Sequence, residues 1–566
     1  MVKKLCFAFL IVSQLVTTAL ASNPVGKGSV EEAGNRVFQR EAANMKTFGK
    51  YAPMVETYLQ TFQPDKELGQ IPSSDHYFLG RVSFKGEIHD DQFFWDPPRK
   101  KQRLFSTLSD FAVRHHPGWR PVGFARMAII DPHFDRDHYS LTFRRREFVG
   151  VTRCLVFDVV PKAKRSGPGR FEGRIWVEEA GYNIVRFNGT YLNPKAHTVY
   201  LHCDSWRVKG APALWLPGFI YSEETTFPIE RHATALKAQT RIWGYRDSEV
   251  MANHQQSEFT AVFVDPKDAV SNSLTGAFSP VASQRAWQRQ AEDNVIERLT
   301  RGELLSPPSD VDKMIEQVVT NLEASSNITV DPEVRCRLLL TTPLESFTVG
   351  HTIFISRGLL DVLPDEASLA AVLARELAHI VLSHDSSTKF AYSDRLLFAD
   401  RETLLRLGVK RQTGEEVDAD KKALELLQAT SLYKDKLASI GLFMKELTAA
   451  ESSLPHLTHG RLGESFVTTG AASRLTAAIA GIPELKKTDP QQIAALPLGS
   501  RIVVDPYTAS VAMRNVSVQL LNAREKMPFE VTPFFPQITT DQLPSGNPDS
   551  EPAATTEQPQ TSGGSR

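Results

Sequence analysis

The chain carries almost no net charge: 65 Lys and Arg stand against 66 Asp and Glu, leaving a formal −1. That balance supplies no electrostatic footprint for a polyanion, so no nucleic-acid partner is expected. The local clusters Arg144-Arg145-Arg146 and Lys162 to Arg170 read as solvated strand edges and a loop. Long apolar runs are missing too. Beyond the N-terminal stretch nothing approaches the roughly 20 uninterrupted apolar residues of a transmembrane helix, so none is expected in the mature chain. Cysteine is scarce, at 4 residues. Cys6 lies in the N-terminal apolar run, without the small-residue context of a lipoprotein cleavage site. Cys154 and Cys203 fall in strand-like stretches, and Cys336 lies further on. A Cys154–Cys203 disulfide and two separate buried thiols both remain open, because sequence does not place the two Cα atoms within bonding range.

What is present is ordinary globular composition, 41% hydrophobic and 23% charged over 566 residues, long enough for two or more domains. Lys3 and Lys4, an apolar run from Leu5 to Val16, and Ala19-Leu20-Ala21 before Ser22 match the three parts of a secretory signal peptide. Residues 1–21 are therefore expected to be removed, giving an exported protein, periplasmic or secreted.

The pattern from Val30 to about Gln63 reads as helical, with Val37, Ala42, Met45, Val55, Tyr58 and Leu59 at helix-like intervals, until Pro64-Asp65 breaks it. From about Tyr77 to Val264 short β-branched and aromatic runs alternate with Gly, Pro and Asp, as in His138 to Phe143, Cys154 to Val160, Phe171 to Val177 and Ile184 to Phe187. That spacing suits an antiparallel sheet. Residues 266–308 read as a linker and a charged helix, and Ser309 or Asp310 as the cap of a helix from Val311 to Leu322. From Met527 the composition turns Pro/Ser/Thr/Gln/Gly-rich, so 527–566 is expected to be a disordered tail.

Residues 371–384 carry the chemistry: Ala-Val-Leu-Ala-Arg-Glu-Leu-Ala-His-Ile-Val-Leu-Ser-His. In H-E-x-x-H, two histidines four residues apart share one helix face and bind Zn²⁺, while the glutamate activates the metal-bound water. Glu376 and His379 hold the second and last places, but Arg375 stands where the first histidine belongs. A guanidinium has no lone pair for a metal. At about 4 Å and an effective dielectric near 20, it would also repel a divalent cation by about 8 kcal/mol.

The region 309–526 resembles the M48 family of zinc metallopeptidases in four ordered matches. The first is Val334-Arg335-Cys336-Arg337-Leu338-Leu339-Leu340 with Phe347-Thr348-Val349-Gly350-His351-Thr352-Ile353-Phe354-Ile355. Next come Gly358-Leu359-Leu360 with Asp365-Glu366-Ala367-Ser368-Leu369-Ala370, then Arg375 to His384, then Glu416-Val417-Asp418-Ala419-Asp420, which fits E-x-x-A-D. The resemblance implies a mainly α-helical zincin-like domain with a small β-sheet. It carries over Glu376 as general base, His379 and Glu416 as zinc ligands, and Asp420 as the residue that orients ligands. It further implies a protein or peptide substrate or client along an edge bounded by Phe347 and Ile355. The family's usual asparagine before that edge has no counterpart, since Glu345-Ser346-Phe347 stands there.

His384 lies five residues beyond His379 and about 140° around an ideal helix, so it is not expected to fill the gap. Off-helix candidates for a rescuing ligand are His351, His456 and His459. The alternative is that Arg375 pairs with Glu416 and Glu376, its guanidinium replacing the metal as the cation between the acids.

The stretch Phe157-Asp158-Val159-Val160-Pro161-Lys162, a polar loop, Phe171-Glu172-Gly173-Arg174-Ile175-Trp176-Val177 and Asn183-Ile184-Val185-Arg186-Phe187-Asn188-Gly189 resembles the half-barrel domains of bacterial lipoprotein carriers. That implies a half-barrel within 30–265 whose Trp176, Trp206, Trp215, Phe219 and Trp243 either line a lipid-like pocket or form plain core. The overall expectation is a multidomain α+β protein. Its zinc site is degenerate, and it acts on or binds envelope proteins. An active zinc endopeptidase and a lipid or lipopeptide binder are the alternatives.

Overall fold

The computed structural model describes residues 27–85, 89–94, 121–162, 170–191, 200–210, 214–225, 235–245, 280–384, 413–463, 475, 478–479, 481–486, 488–492, 495–516, 529–533 and 538–540. The expected signal peptide, the linker 266–279 and most of the tail 527–566 lie outside them.

The N-terminal half begins with helix α1 (Lys27–Phe48), followed by β1 (Met54–Asp65), β2 (Gly69–Ser83), β3 (His89–Phe94) and α2 (Pro121–Arg126). A run of strands follows: β4 (Tyr139–Val149), β5 (Thr152–Pro161), β6 (Phe171–Glu178), β7 (Ile184–Tyr191), β8 (Tyr200–Lys209), β9 (Trp215–Thr225) and β10 (Ala235–Trp243). Together with β16 (Ile538–Thr540) they form an 11-stranded sheet in the order β16-β4-β5-β6-β7-β8-β9-β10-β1-β2-β3, antiparallel throughout and open at its edges. Residues 538–540 of the expected tail thus pair with β4.

The helical reading of the first segment holds only to Phe48. Val55, Tyr58 and Leu59 belong to β1, which lies between β10 and β2 and is buried from Met54 to Phe62. A strand covered on both faces loses the apolar–polar alternation and reads like a buried helix. Alternation survives in what each face touches. Val55 and Leu59 pack under α1 with Ala33, Val37 and Phe48, whereas Met54 and Tyr58 join the core of the C-terminal half.

Within the α1-covered face, Glu41 of α1 accepts two hydrogen bonds from Arg207 of β8, at 2.6 and 2.7 Å. Close strand approach is secured by Gly173 and Gly189, which face each other across β6 and β7. A Cβ on Gly173 would sit 2.3 Å from the Asn188 carbonyl oxygen and 2.8 Å from the Phe171 ring. The five aromatics Trp176, Trp206, Trp215, Phe219 and Trp243 are buried core on the opposite face, with Arg186 sandwiched 4.3 Å from both the Trp176 and Trp206 rings. Cys154 and Cys203 are free, buried thiols. They lie on β5 and β8 with two strands between them and in separate clusters. Strand spacing puts them about 14 Å apart, beyond bridging range.

The C-terminal half contains α3 (Pro280–Arg301), α4 (Asp310–Ser325), a sheet of β11 (Arg335–Leu339), β13 (Thr352–Ser356) and β12 (Ser346–Val349) in that order, then α5 (Arg357–Val362) and α6 (Glu366–Val381). After these come α7 (Thr413–Ala429), α8 (Leu437–Glu451), the short α9 (Pro455–Thr458) and a hairpin of β14 (Ile502–Val504) and β15 (Val511–Met513). Ser309 caps α4, its backbone N–H donating to Asp312 Oδ2 at 2.7 Å. Asp365 caps α6 by accepting from the Ser368 N–H at 2.8 Å. Every residue of α6 from Ala367 to His379 is buried, as a helix enclosed by α4, α7, α8 and the small sheet must be.

One hydrophobic core runs through this half and takes in Met54, Tyr58, Tyr77, Leu79 and Trp243 from the large sheet. Polar contacts knit the same seam. Glu56 accepts from the Thr342 N–H at 2.6 Å, the Tyr77 hydroxyl at 2.8 Å and Arg357 at 3.0 Å. Asp75 accepts from the backbone N–H groups of His456 and Leu457, at 3.1 and 2.8 Å.

Candidate functional site

Helix α6 turns Arg375, Glu376 and His379 into the protein interior, where each is almost completely buried. Arg375 Nη1 donates to Glu376 Oε1 at 3.1 Å, and Nη2 forms a short bond to Glu416 Oε2 from α7. Its Nε faces Asp420 Oδ1 at 3.4 Å. One guanidinium therefore meets three carboxylates from two helices. Burial raises the Asp420 carboxyl, and Arg375 draws it back down. Ser346 completes the arrangement, its hydroxyl donating to Glu376 Oε1 at 2.7 Å. Sequence reasoning missed Ser346 as a partner of Glu376. The signal was its place in Glu345-Ser346-Phe347, at the start of β12.

His379 Nε2 lies 3.9 Å from Glu416 Oε2, and its other ring nitrogen, Nδ1, is 3.0 Å from Nδ1 of His384. This overturns the expectation that His384 faces elsewhere. That argument assumed a continuing helix, but α6 stops at Val381 and Ser383 takes a left-handed φ of 55°. The chain folds back, the His384 N–H bonds to the His379 carbonyl at 2.9 Å, and the ring reaches His379. The contact is to the nitrogen turned away from Glu416, so His384 orients His379 rather than adding a donor on the Glu416 side.

The off-helix histidines are engaged elsewhere. The His351 ring faces Glu292 of α3, its Nδ1 3.5 Å from Oε1, and the backbone N–H donates to the same carboxylate at 2.8 Å. His456 Nδ1 is 2.8 Å from Arg461 Nη2, and the ring stacks on His76. His459 Nδ1 meets the Pro455 carbonyl at 2.9 Å.

The expected edge is narrower than the stretch between Phe347 and Ile355. Strand β13 lies between β11 and β12, so of the two strands in that stretch β12 is the marginal one among the described residues. All four residues of β12 are buried. Glu345, just before it, accepts from the N–H groups of Arg461, Leu462 and Gly463 at 2.8, 2.9 and 3.1 Å, through one oxygen. Gly463 then lies so close that a Cβ would stand 2.6 Å from the Phe347 ring. Residues 460–463 therefore cover the start of β12.

The donor set does not fit zinc. His379 and Glu416 are the two ligand types in place, and the buried Arg375 guanidinium bonds to Glu416 where a metal would bond. Among the described residues no group of three or more His, Cys, Asp or Glu converges as a metal site. No helix among them is long and apolar enough to cross a membrane.

No curated protein matches the chain. Among solved structures, the chain is similar to a LolA superfamily protein from Nitrosomonas europaea, at 11% identity and TM-score 0.21, over 37% of this chain and 91% of that one. A putative outer membrane lipoprotein-sorting protein domain from Vibrio parahaemolyticus matches at 11% identity and TM-score 0.20, over 38% and 93%. A DUF1329 family protein from Desulfovibrio piger matches at 14% and 0.21, over 38% and 92%. Residues 309–493 match the family model described as Peptidase family M48, and this part of the chain, which holds Arg375, Glu376, His379, Glu416 and Asp420, is an M48 domain.

Proposed function

We propose that the M48 domain of this chain is non-hydrolytic and serves as a binding scaffold for a protein or peptide segment, in an exported protein of the cell envelope. One observation carries the reading: Arg375 is buried and bonded to Glu416 and Glu376, with Asp420 at 3.4 Å. The guanidinium takes the role of the missing cation, so the helix pair α6 and α7 stays assembled without a metal. Glu376, the residue that would activate water, is tied to Arg375 and Ser346 instead. A site arranged this way keeps the domain's shape while lacking its reaction. The N-terminal pattern of Lys3, Lys4 and the apolar run supports export.

The test is zinc stoichiometry of the purified mature chain beside its Arg375→His variant, with casein hydrolysis measured on both. The reading expects no bound zinc and no hydrolysis in the unaltered protein, and zinc gained by the variant. Near one zinc per unaltered chain, or hydrolysis abolished by Glu376→Gln, would establish a working peptidase instead.

A further inference from the structure

Arg241 projects from β10 into the seam between the large sheet and the M48 half. Its strand neighbours are Glu56 on β1 and Phe219 on β9. The guanidinium lies over the Phe219 ring at 5.4 Å. On another side it meets Gly499, whose φ is +79° and where a Cβ would stand 2.9 Å from Arg241 Nη2.

The seam holds four guanidiniums, Arg241, Arg357, Arg501 and Arg514, all within electrostatic reach of Asp361. Against them the residues acting on Arg241 include two carboxylates, Asp361 and Glu56. Both are already committed. Glu56 Oε1 accepts from Thr342 N–H and Tyr77, and its Oε2 from Arg357 and the Thr342 hydroxyl. Asp361 Oδ2 accepts from Arg357, and its Oδ1 from the N–H groups of Arg501 and Ile502.

Arg241 is left without an acceptor among the described residues. Its Nε is sealed and makes no hydrogen bond. The residue as a whole is half-buried. Burial first, and then the charge on Arg357, push its pKa down to about 9, which still leaves it cationic at neutral pH. A partly buried guanidinium whose nearby carboxylates are bonded to other donors is disfavoured, and an arginine fork matches a planar carboxylate or a phosphate.

We propose that this seam is an anion-binding site for a phosphate or carboxylate group, with Arg241 as the donor fork, Arg514 as the second cation, and Phe219 and Gly499 as walls. The inference is independent of whether the M48 domain hydrolyses peptides.

The experiment is calorimetric titration of the full mature chain with inorganic phosphate and, separately, with octyl phosphate. Ionic strength is held constant with chloride, and Arg241→Gln and Arg514→Gln are run in parallel. Saturable phosphate binding is expected, weakened about tenfold or more in each variant. Arg241→Gln should also melt higher than the unaltered chain when no phosphate is present, because an uncompensated charge has been removed. Binding of octyl phosphate but not inorganic phosphate would identify a lipid-like headgroup as the source of the anion. Equal binding in all three proteins, or no saturable binding of either probe, overturns the proposal. If Arg241→Gln does not fold, unchanged affinity in Arg514→Gln overturns it alone.

Discussion

Glu56 on the large sheet and Arg357 at the start of α5 meet at 3.0 Å, with each side chain 1% exposed. The pair sits where both halves are in contact, and Arg357 continues it to Asp361 at 2.7 Å. Removing one partner of such a buried pair strands the other. Glu56→Ala should therefore cost about 3–5 kcal/mol in urea unfolding. Because one core crosses the seam, the unaltered chain should unfold both halves in a single transition. Two well-separated transitions would contradict that.

Arg375 is the guanidinium that bonds to Glu376 and Glu416 and faces Asp420. Arg375→Met leaves these carboxylates facing one another in the interior, with an expected loss of about 3–5 kcal/mol. The sign of its pH dependence follows. Burial already raises the Asp420 carboxyl, and without Arg375 the opposing pull is gone. Protonation then favours the folded variant, so its deficit should shrink as pH is lowered. A deficit that grows on acidification would show that the carboxylates do not depend on Arg375.

Asp75 offers a second pH test. Burial, its largest cause, raises the carboxyl to about 7, against the lowering effect of its hydrogen bonds from His456, Tyr58 and Leu457. A folded-state value above the unfolded one means that its stabilisation is fully present below about pH 4 and is lost as pH rises through about 7. The shift corresponds to a few kcal/mol at most. Asp75→Asn keeps an acceptor for the α9 N–H groups but cannot ionise. The difference in urea midpoint between the unaltered chain and this variant should fall from pH 4 to pH 7, to the disadvantage of the unaltered chain. A pH-independent difference would refute the assignment.

Ser383, at φ 55°, makes the turn that returns His384 to His379. Glycine adopts this conformation without the Cβ penalty, so Ser383→Gly should be neutral or stabilise by up to about 1 kcal/mol. Ser383→Val should cost about 1–2 kcal/mol, because a branched side chain resists left-handed backbone. It should also release His384, read by NMR as a change in the His379 ring resonances. Equal stability of the two variants would mean the turn is not strained.

Much of the M48 half was legible from local signals. Ser309 or Asp310 marked the start of α4, where Ser309 proves to be the cap, and the stretch from Asp365 marked the start of α6. The strands β4 to β7 were legible because Gly, Pro and Asp punctuate them. β1 was not, because a strand buried on both faces carries no alternation for sequence to display.

The sequence by itself determined that the first position of H-E-x-x-H is a cation without lone pairs, that Glu376 follows it directly and an E-x-x-A-D stretch lies further on, and that a sheet-forming half precedes them. Those properties reside in residue type and short spacing, which the unfolded chain already possesses. Only the tertiary structure decided that Arg375 bonds to Glu416 across 41 positions, that Glu345 gathers the N–H groups of 461–463, and that Arg241 Nε is buried in the seam without an acceptor among the described residues. Such pairings depend on which distant groups share a desolvated interior. Their strength and even their sign come from burial and competing partners, which no local stretch of sequence contains.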